Sequence, residues 1–480
     1  MTAVAPLVPP RPGPPACDVI VVGGGISGLT VAWHLHRAGA DVTLLESQTQ
    51  VGGAVRTAHR DGFLLEKGPF NVIVRAPEFE ELLAGVATRV RVVTASDEAK
   101  NRYIYRHGRL RRVPSGLLTL FTSGLLTAGG ALRALRGLLV SARGDGREVT
   151  LDEFATRRFG REVADTLVSA AIAGILAGDI RRLSAYAAFP VLEDFDRTSC
   201  TPLGRTLRRV PGMLRKRRDP AQRRRWRGLV SLDTGLGGLC DALAAELGPR
   251  VRCAHAVEAI APVADGFRLR LRTPDAQPEL YCRRLVLATP ARQTAALLAD
   301  HAPAAARILG ALESASLTVI NLAYRREHVA HPLDGFGFLV PRNEPDFPLM
   351  GVLWADSAFP HHAPASCRLL RVFMGGARTP DIIQRDPAQL VDATRRALRD
   401  VLGVNGEPLL VDLCPYADAI PQYTLGHRER VAAVRASVGV IPGLHLAGNY
   451  LEGVSINDCV KLGKKVALEV LAQRAARAAR

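Results

Sequence analysis

Three glycines, Gly23, Gly25 and Gly28, stand in GxGxxG order behind a short apolar run, Asp18 to Val22. Ahead of them Leu29, Ala32, Trp33 and Leu35 recur at helical spacing. Gly39 ends that helix, and Asp41 to Leu45 reads as a second strand finishing at Glu46. Strand, glycine turn, helix and strand within about 30 residues form a dinucleotide-binding unit. Gly23 permits the tight turn, Gly25 lets the backbone approach a pyrophosphate, and Gly28 lets the helix lie close on the sheet. Ile26 and Ser27 open the helix, where free amides and the positive dipole end favour an anion. Glu46 is placed to accept hydrogen bonds from both hydroxyls of a ribose, and its charge would repel a 2′-phosphate.

A second glycine pair, Gly52 and Gly53, follows at once, with Arg56 three residues on. Arg56 either neutralises a phosphate or is a solvated surface arginine. This GGxxRT element is similar to the one that lies along the pyrophosphate and flavin in FAD enzymes of the amine-oxidase superfamily. The resemblance moves the expected cofactor from NAD to FAD. Later segments return to the same fold: Ser231 to Leu239, Val251 to Ile260 with Val257 inside it, and Leu285 to Pro290. The last is Leu444 to Asn457, where Gly448 and Asn449 make a turn and Val454, Ser455 and Ile456 open a helix running to about Leu471. A cofactor domain of residues 17–77, 228–290 and 429–480 would then carry two insertions. Residues 78–227 read as helical and possible for membrane association, and residues 291–428 as a substrate-binding domain with strands at Thr318 to Tyr324 and Phe336 to Val340. Residues 1–16 read as a disordered leader without the features of a secretory signal. The expected class is α/β: a Rossmann-like FAD-binding domain with an inserted α+β substrate domain and an inserted mainly helical domain.

Several ordered segments together resemble the protoporphyrinogen oxidase family. They are GILAGDIRRLS from Gly174, YRREHVAHPLDGFGFLVP from Tyr324, LWADSAFPHHAP from Leu353, GGAR from Gly375, AIPQYTLGH from Ala419 and LAGNYLEGVS from Leu446. The resemblance runs from Asp18 to about Leu471. It implies oxidation of protoporphyrinogen IX, or alternatively coproporphyrinogen III, through FAD, with reoxidation by O2 to H2O2. No catalytic dyad is required, because the flavin carries the chemistry. The family pattern makes Arg102 the partner of a substrate propionate, with a structural ion pair as the other reading. Leu339 and Phe359 fall in segments resembling the ring-sandwiching walls, and each reads equally as core. Gly174 falls in a substrate-facing turn, with a plain helix break as the other reading. Gly68 belongs to the flavin-proximal GPN-like element, which here reads Gly68-Pro69-Phe70-Asn71 with the Asn one place late. Phe70 is therefore a candidate for narrowing the pocket.

A flavin amine oxidase is a second alternative, although Tyr450 is the only aromatic in the C-terminal flavin segment and the six lysines offer no obvious candidate in the middle segments. His361 and His362 are expected apart on a loop or rim rather than as metal ligands. The eight cysteines lack any CxxC spacing, which argues against a disulfide framework or zinc module and for a reducing compartment. Net charge is +17, and the run Arg205 to Arg227 supplies +10 of it. With one aromatic, Trp226, that run suits anionic lipid better than a specific nucleic acid, and a solvated arginine loop is the remaining reading. Val113 to Leu132 carries no charge, but Pro114 and its Ser, Thr and Gly content favour a buried or membrane-resting helix over a spanning one. The expected location is cytoplasmic, with peripheral membrane contact and a homodimer left open.

Overall fold

The computed structural model describes residues 17–139, 146–197, 226, 228–274 and 278–478. The chain divides into two compact units. The first comprises residues 1–53, 240–311 and 432–480, and the second residues 54–239 and 312–431.

The first unit is built on Cys17–Val22, whose central residues are fully buried. It pairs in parallel with Val42–Leu45 on one side and Glu279–Leu287 on the other. Val251–Arg252 extends the first edge in parallel, and Leu444–Leu446 pairs in parallel with Glu279–Leu287. The hairpin Ala256–Val263 and Gly266–Arg272 joins antiparallel beyond it. Such strands, buried on both faces, read as continuous apolar runs rather than alternating ones. The helix Ile26–Arg37 follows the glycine turn and packs against the long C-terminal helix Ile456–Ala478. Gly463 permits that approach, since a Cβ there would lie 2.9 Å from the Thr30 side chain.

The second unit centres on a seven-stranded sheet. Its order is Leu410–Pro421, Ser314–Arg325, Cys367–Gly375, Gly351–Trp354, Gly337–Leu339, Tyr103–Arg106 and Arg109–Arg112. All neighbours are antiparallel except Gly337–Leu339 with Tyr103–Arg106. The helix Pro387–Leu402 covers one face through Leu390, Ala397, Leu398 and Leu402, against Ile320, Leu322 and Trp354. Asp386 caps it, its carboxylate accepting from the Ala388 amide, and Gly403 ends it in the left-handed region at φ +62°. Short helices from Leu117 to Arg197 complete this unit.

Residues 54–77 and 228–239 belong to this second unit, whereas the sequence reading grouped them with the cofactor sheet. Strand pairing is the reason: Thr57–Arg60 closes a hairpin with Phe63–Glu66, and Val230–Leu232 pairs with Val92–Thr94. The uncharged stretch Val113 to Leu132 breaks into two helices, Leu117–Thr122 and Ala128–Leu139. Among the described residues no helix is long and apolar enough to cross a membrane. Most of the run Arg205 to Arg227 lies outside the described residues.

Candidate functional site

In the first unit the glycine turn forms a cradle. Gly23 has φ +108°, and a Cβ there would lie 2.7 Å from the Ala288 carbonyl oxygen. A Cβ on Gly28 would collide with the Gly23 carbonyl oxygen. Gly25 is different, because apart from its immediate chain neighbours no heavy atom among the described residues lies within 4 Å of its Cβ position. It is also the N-cap of Ile26–Arg37, where no side chain caps the helix and no acid occupies the first turn. Ile26, Ser27 and Gly28 thus begin a helix whose amides are left for an outside acceptor. Gly52 donates its amide to the Gly24 carbonyl at 2.8 Å and bridges Gly25 in parallel, which brings Gly52 and Gly53 beside the turn.

Glu46 is buried beside Gly24. Its Oε2 accepts from the Gly24 amide at 2.7 Å and its Oε1 from the Gln48 amide at 2.8 Å. These bonds orient the carboxylate and leave lone pairs for further donors. The Glu46 carbonyl accepts from the His255 amide, two residues before Val257, so that strand is tied to the same corner. Gly448 has no room for a Cβ against the Tyr450 ring. Asn449 and Val454 are partly exposed beyond it. Ser455 and Asp458 cap each other at the start of Ile456–Ala478, with Ser455 Oγ donating to the carboxylate at 2.5 Å. Tyr450 is fully buried with its hydroxyl 3.4 Å from Thr294 Oγ1, so it forms no part of an exposed aromatic cage.

In the second unit Gly68 fits only as glycine, because a Cβ would strike the Ala54 carbonyl. Arg56 is partly buried near the Tyr416 phenol, and its carbonyl accepts from the Lys67 amide. The structure brings Gly174 and Leu339 together: a Cβ on Gly174 would lie 2.7 Å from Leu339 Cδ2, and both residues are accessible. Arg102 is exposed, with its guanidinium 5.7 Å from the Phe336 ring centre. Among the described residues no carboxylate pairs with it.

Phe359 takes the core alternative. It is fully buried, 5.3 Å from the Phe70 ring and 5.6 Å from His362. Phe70 is likewise buried in this cluster. His362 is not at a rim but completely buried; burial first, then the charges of His361 and Arg371, push it down to about 3, so it is neutral. His361 meets the Leu232 carbonyl at 3.0 Å.

The sequence pattern of the family described as flavin containing amine oxidoreductase matches residues 26–471. The chain belongs to that family. This flavin-containing oxidoreductase uses FAD, and the uncapped helix start, the open space at Gly25 and the oriented Glu46 fit the ADP half of such a cofactor. It is 30% identical to "Protoporphyrinogen oxidase, chloroplastic" of Nicotiana tabacum, over 95% of this chain and 86% of that one. It is 27% identical to "Coproporphyrinogen III oxidase" of Bacillus subtilis, over 94% of this chain and 97% of the other. A crystal structure of a protoporphyrinogen oxidase candidate from Exiguobacterium sp. 255-15 superposes with a TM-score of 0.80 at 26% identity, covering 96% of this chain and all of that one.

Sequence reasoning missed one part of the oxidoreductase. Behind Gly68 lies a row of polar side chains: Asp412, Asn321 and Arg371 stand opposite one another on three adjacent strands, the last two buried and Asp412 partly so. Glu66 faces the row, its Oε1 accepting from the Leu236 amide and its Oε2 from Thr57 Oγ1, both at 2.7 Å. A buried Glu and Arg in otherwise apolar strands were the available signals, and their alignment depends on strand register.

Proposed function

We propose that this enzyme oxidises protoporphyrinogen IX to protoporphyrin IX in haem biosynthesis, with dioxygen as acceptor and hydrogen peroxide as co-product. Coproporphyrinogen III is the alternative substrate. End-to-end similarity to proteins named for both reactions carries this reading, and the accessible apposition of Gly174 and Leu339 supports it. Bound FAD supplies the two-electron acceptor for hydride leaving the macrocycle. The amides of Ile26 to Gly28 and the Glu46 carboxylate hold its diphosphate and ribose, and Arg56 and Gly68 hold it further along. Leu339, beside the missing side chain of Gly174, presents an apolar face to the ring, and Arg102 grips a propionate through paired N–H donors.

The test is to give the purified holoenzyme each porphyrinogen and follow porphyrin fluorescence, with flavin bleaching recorded in the absence of oxygen. Turnover of either porphyrinogen is expected. Inactivity on both, with amines bleaching the flavin instead, would defeat the assignment. In the same assay Arg102→Ala is expected to raise KM by about tenfold to a hundredfold, the loss of a charge-assisted pair, with kcat little changed. An unchanged KM would remove Arg102 from the site.

Peripheral contact with an anionic membrane is part of this proposal. Ala128–Leu139 buries Ala131, Ala134 and Gly137 and exposes Leu132 at 65% and Leu139 at 59%, beside exposed Arg133 and Arg136. Basic side chains near a lipid surface contribute about 1 kcal/mol each, and the stretch Arg205 to Arg227 adds eleven of them. Sedimentation with anionic vesicles is expected at low salt and reduced at high salt. Absence of binding at low salt would sink the membrane contact.

A further inference from the structure

The residues that follow the GGxxRT element are gripped one by one from the sheet behind them. Asn321 Nδ2 lies 3.5 Å from the Glu66 carbonyl, Asp412 accepts from Lys67 Nζ at 2.5 Å, and Arg371 donates to the Gly68 carbonyl. Asn321 also donates to Asp412 at 3.0 Å, so the row is internally linked. The Glu66 side chain reaches the other way. Thr57, next to Arg56, donates to it, and Thr57 Oγ1 in turn accepts from the Gly237 amide at 2.8 Å. Every link lies within the second unit.

Arg371 is a buried cation among apolar strands and belongs to neither of the apolar clusters beside it. It is 1% exposed, its guanidinium lies 5.0 Å from the Phe373 ring and 5.9 Å from the Phe70 ring, and its Nε and Nη1 meet no partner among the described residues. A buried cation is retained at a cost unless a carboxylate answers it, and the foremost opposing charge is Glu66. We propose that Arg371 and Glu66 are positioning residues for FAD: together they hold Gly68 and the Arg56–Thr57 element in the geometry that receives the cofactor. This rests on the reading that Arg56 and Gly68 bind FAD.

The pair makes its action visible in pH dependence. Burial pushes the Glu66 carboxyl up to about 7, while the Leu236 amide, the Thr57 hydroxyl and the Arg371 guanidinium each pull it down. Among the described residues no other charged group bears directly on it; Asp412, Cys414 and Tyr416 act on Arg371, Lys67 acts on Asp412, and the neutral His362 is itself acted on by Arg371. Because the folded-state value is raised above the ordinary 4.5, ionisation of Glu66 costs stability, so this contribution falls as pH rises from the ordinary carboxylate range through about 7. Hydrogen bonds to the ionised carboxylate are the stronger ones, so cofactor binding moves the opposite way and tightens over the same window.

The experiment measures FAD release from the holoenzyme by flavin fluorescence from about pH 6 to about pH 9, with thermal melting in parallel. The proteins are the natural one, Arg371→Lys, Arg371→Met, Glu66→Gln, the double variant Arg371→Met/Glu66→Gln, and Arg56→Ala. Arg371→Met is expected to weaken FAD binding by about tenfold, as for one charge-assisted hydrogen bond, and to move the pH profile to higher pH. Arg371→Lys restores part of the affinity, Glu66→Gln flattens the profile, and the double variant binds FAD no worse than Glu66→Gln. If Arg371→Met binds FAD as the natural protein does at every pH while Arg56→Ala loses it, the positioning role is overturned. If Arg56→Ala binds FAD normally, the underlying assignment of Arg56 fails instead. Should Arg371→Met fail to fold, Glu66→Gln decides: retention of the natural pH profile overturns the proposal.

Discussion

Gly28→Ala is expected to lower the melting temperature and strip the flavin, whereas Gly25→Ala strips the flavin and leaves the apoprotein nearly as stable. The two glycines look alike in the sequence but answer different constraints. A methyl at Gly28 meets the Gly23 carbonyl head-on and Ala288 Cβ at 3.2 Å. The turn has little room to retreat, because Gly23 holds φ +108° and even a Cβ on it would lie 2.7 Å from the Ala288 carbonyl oxygen. Overpacking of this kind costs about 1–3 kcal/mol, and the backbone shift opens the anion cradle as well. A methyl at Gly25 meets nothing, and its extended φ of −72° suits alanine. The loss there is at most about 1 kcal/mol through a poorer N-cap. Its methyl would occupy the approach of the diphosphate instead. Flavin-to-protein absorbance ratios with melting curves of both apoproteins check the pair. Full flavin content in Gly25→Ala would displace the cofactor from this turn, and a natural melting point in Gly28→Ala would refute the steric argument.

Gly174→Ala is expected to retain FAD and stability while cutting kcat/KM for the porphyrinogen by about a hundredfold, the scale of a 1 Å misplacement in an active site. The new Cβ would press on Leu339 Cδ2 and Cδ1, at 2.7 and 3.0 Å. These are the free end of a side chain, so Leu339 swings rather than the backbone moving. Alanine in the last turn of Ser169–Leu176 is also the better helix former, by about 1 kcal/mol. Adding Leu339→Ala should recover part of the rate by removing the displaced group. Steady-state kinetics of the single and double variants give the answer. Unchanged kcat/KM in Gly174→Ala would take both residues out of the substrate site.

Much of the fold was legible because its strands and turns are local. Asp18 to Val22 and Asp41 to Leu45 read as strands, and the structure has Cys17–Val22 and Val42–Leu45. The sequence leaves Phe359 open between wall and core and offers Phe70 for the pocket, since an aromatic residue in either place has the same local sequence. Only packing around Ala355, Ala363 and Leu369 puts them inside. Ser231 to Leu239 forms the strand, turn and helix that its sequence predicts, and only its pairing was hidden. A strand followed by a glycine turn and helix looks like a cofactor-sheet element wherever it pairs, and here it pairs with Val92–Thr94.

The sequence by itself determined the dinucleotide cradle, because each of its requirements is a backbone conformation or a close approach that only glycine meets, within one short contiguous stretch. The cofactor class came instead from the resemblance of the GGxxRT element to that of FAD enzymes. Tertiary structure alone decided which distant residues meet. Gly174 faces Leu339 across 165 positions in the chain, and Asn321, Arg371 and Asp412 align only because three long strands pair in one register. A shift of one residue would turn those side chains to the opposite face. The buried charge of Arg371 is therefore intelligible only where Glu66 and the Gly68 carbonyl are brought beneath it.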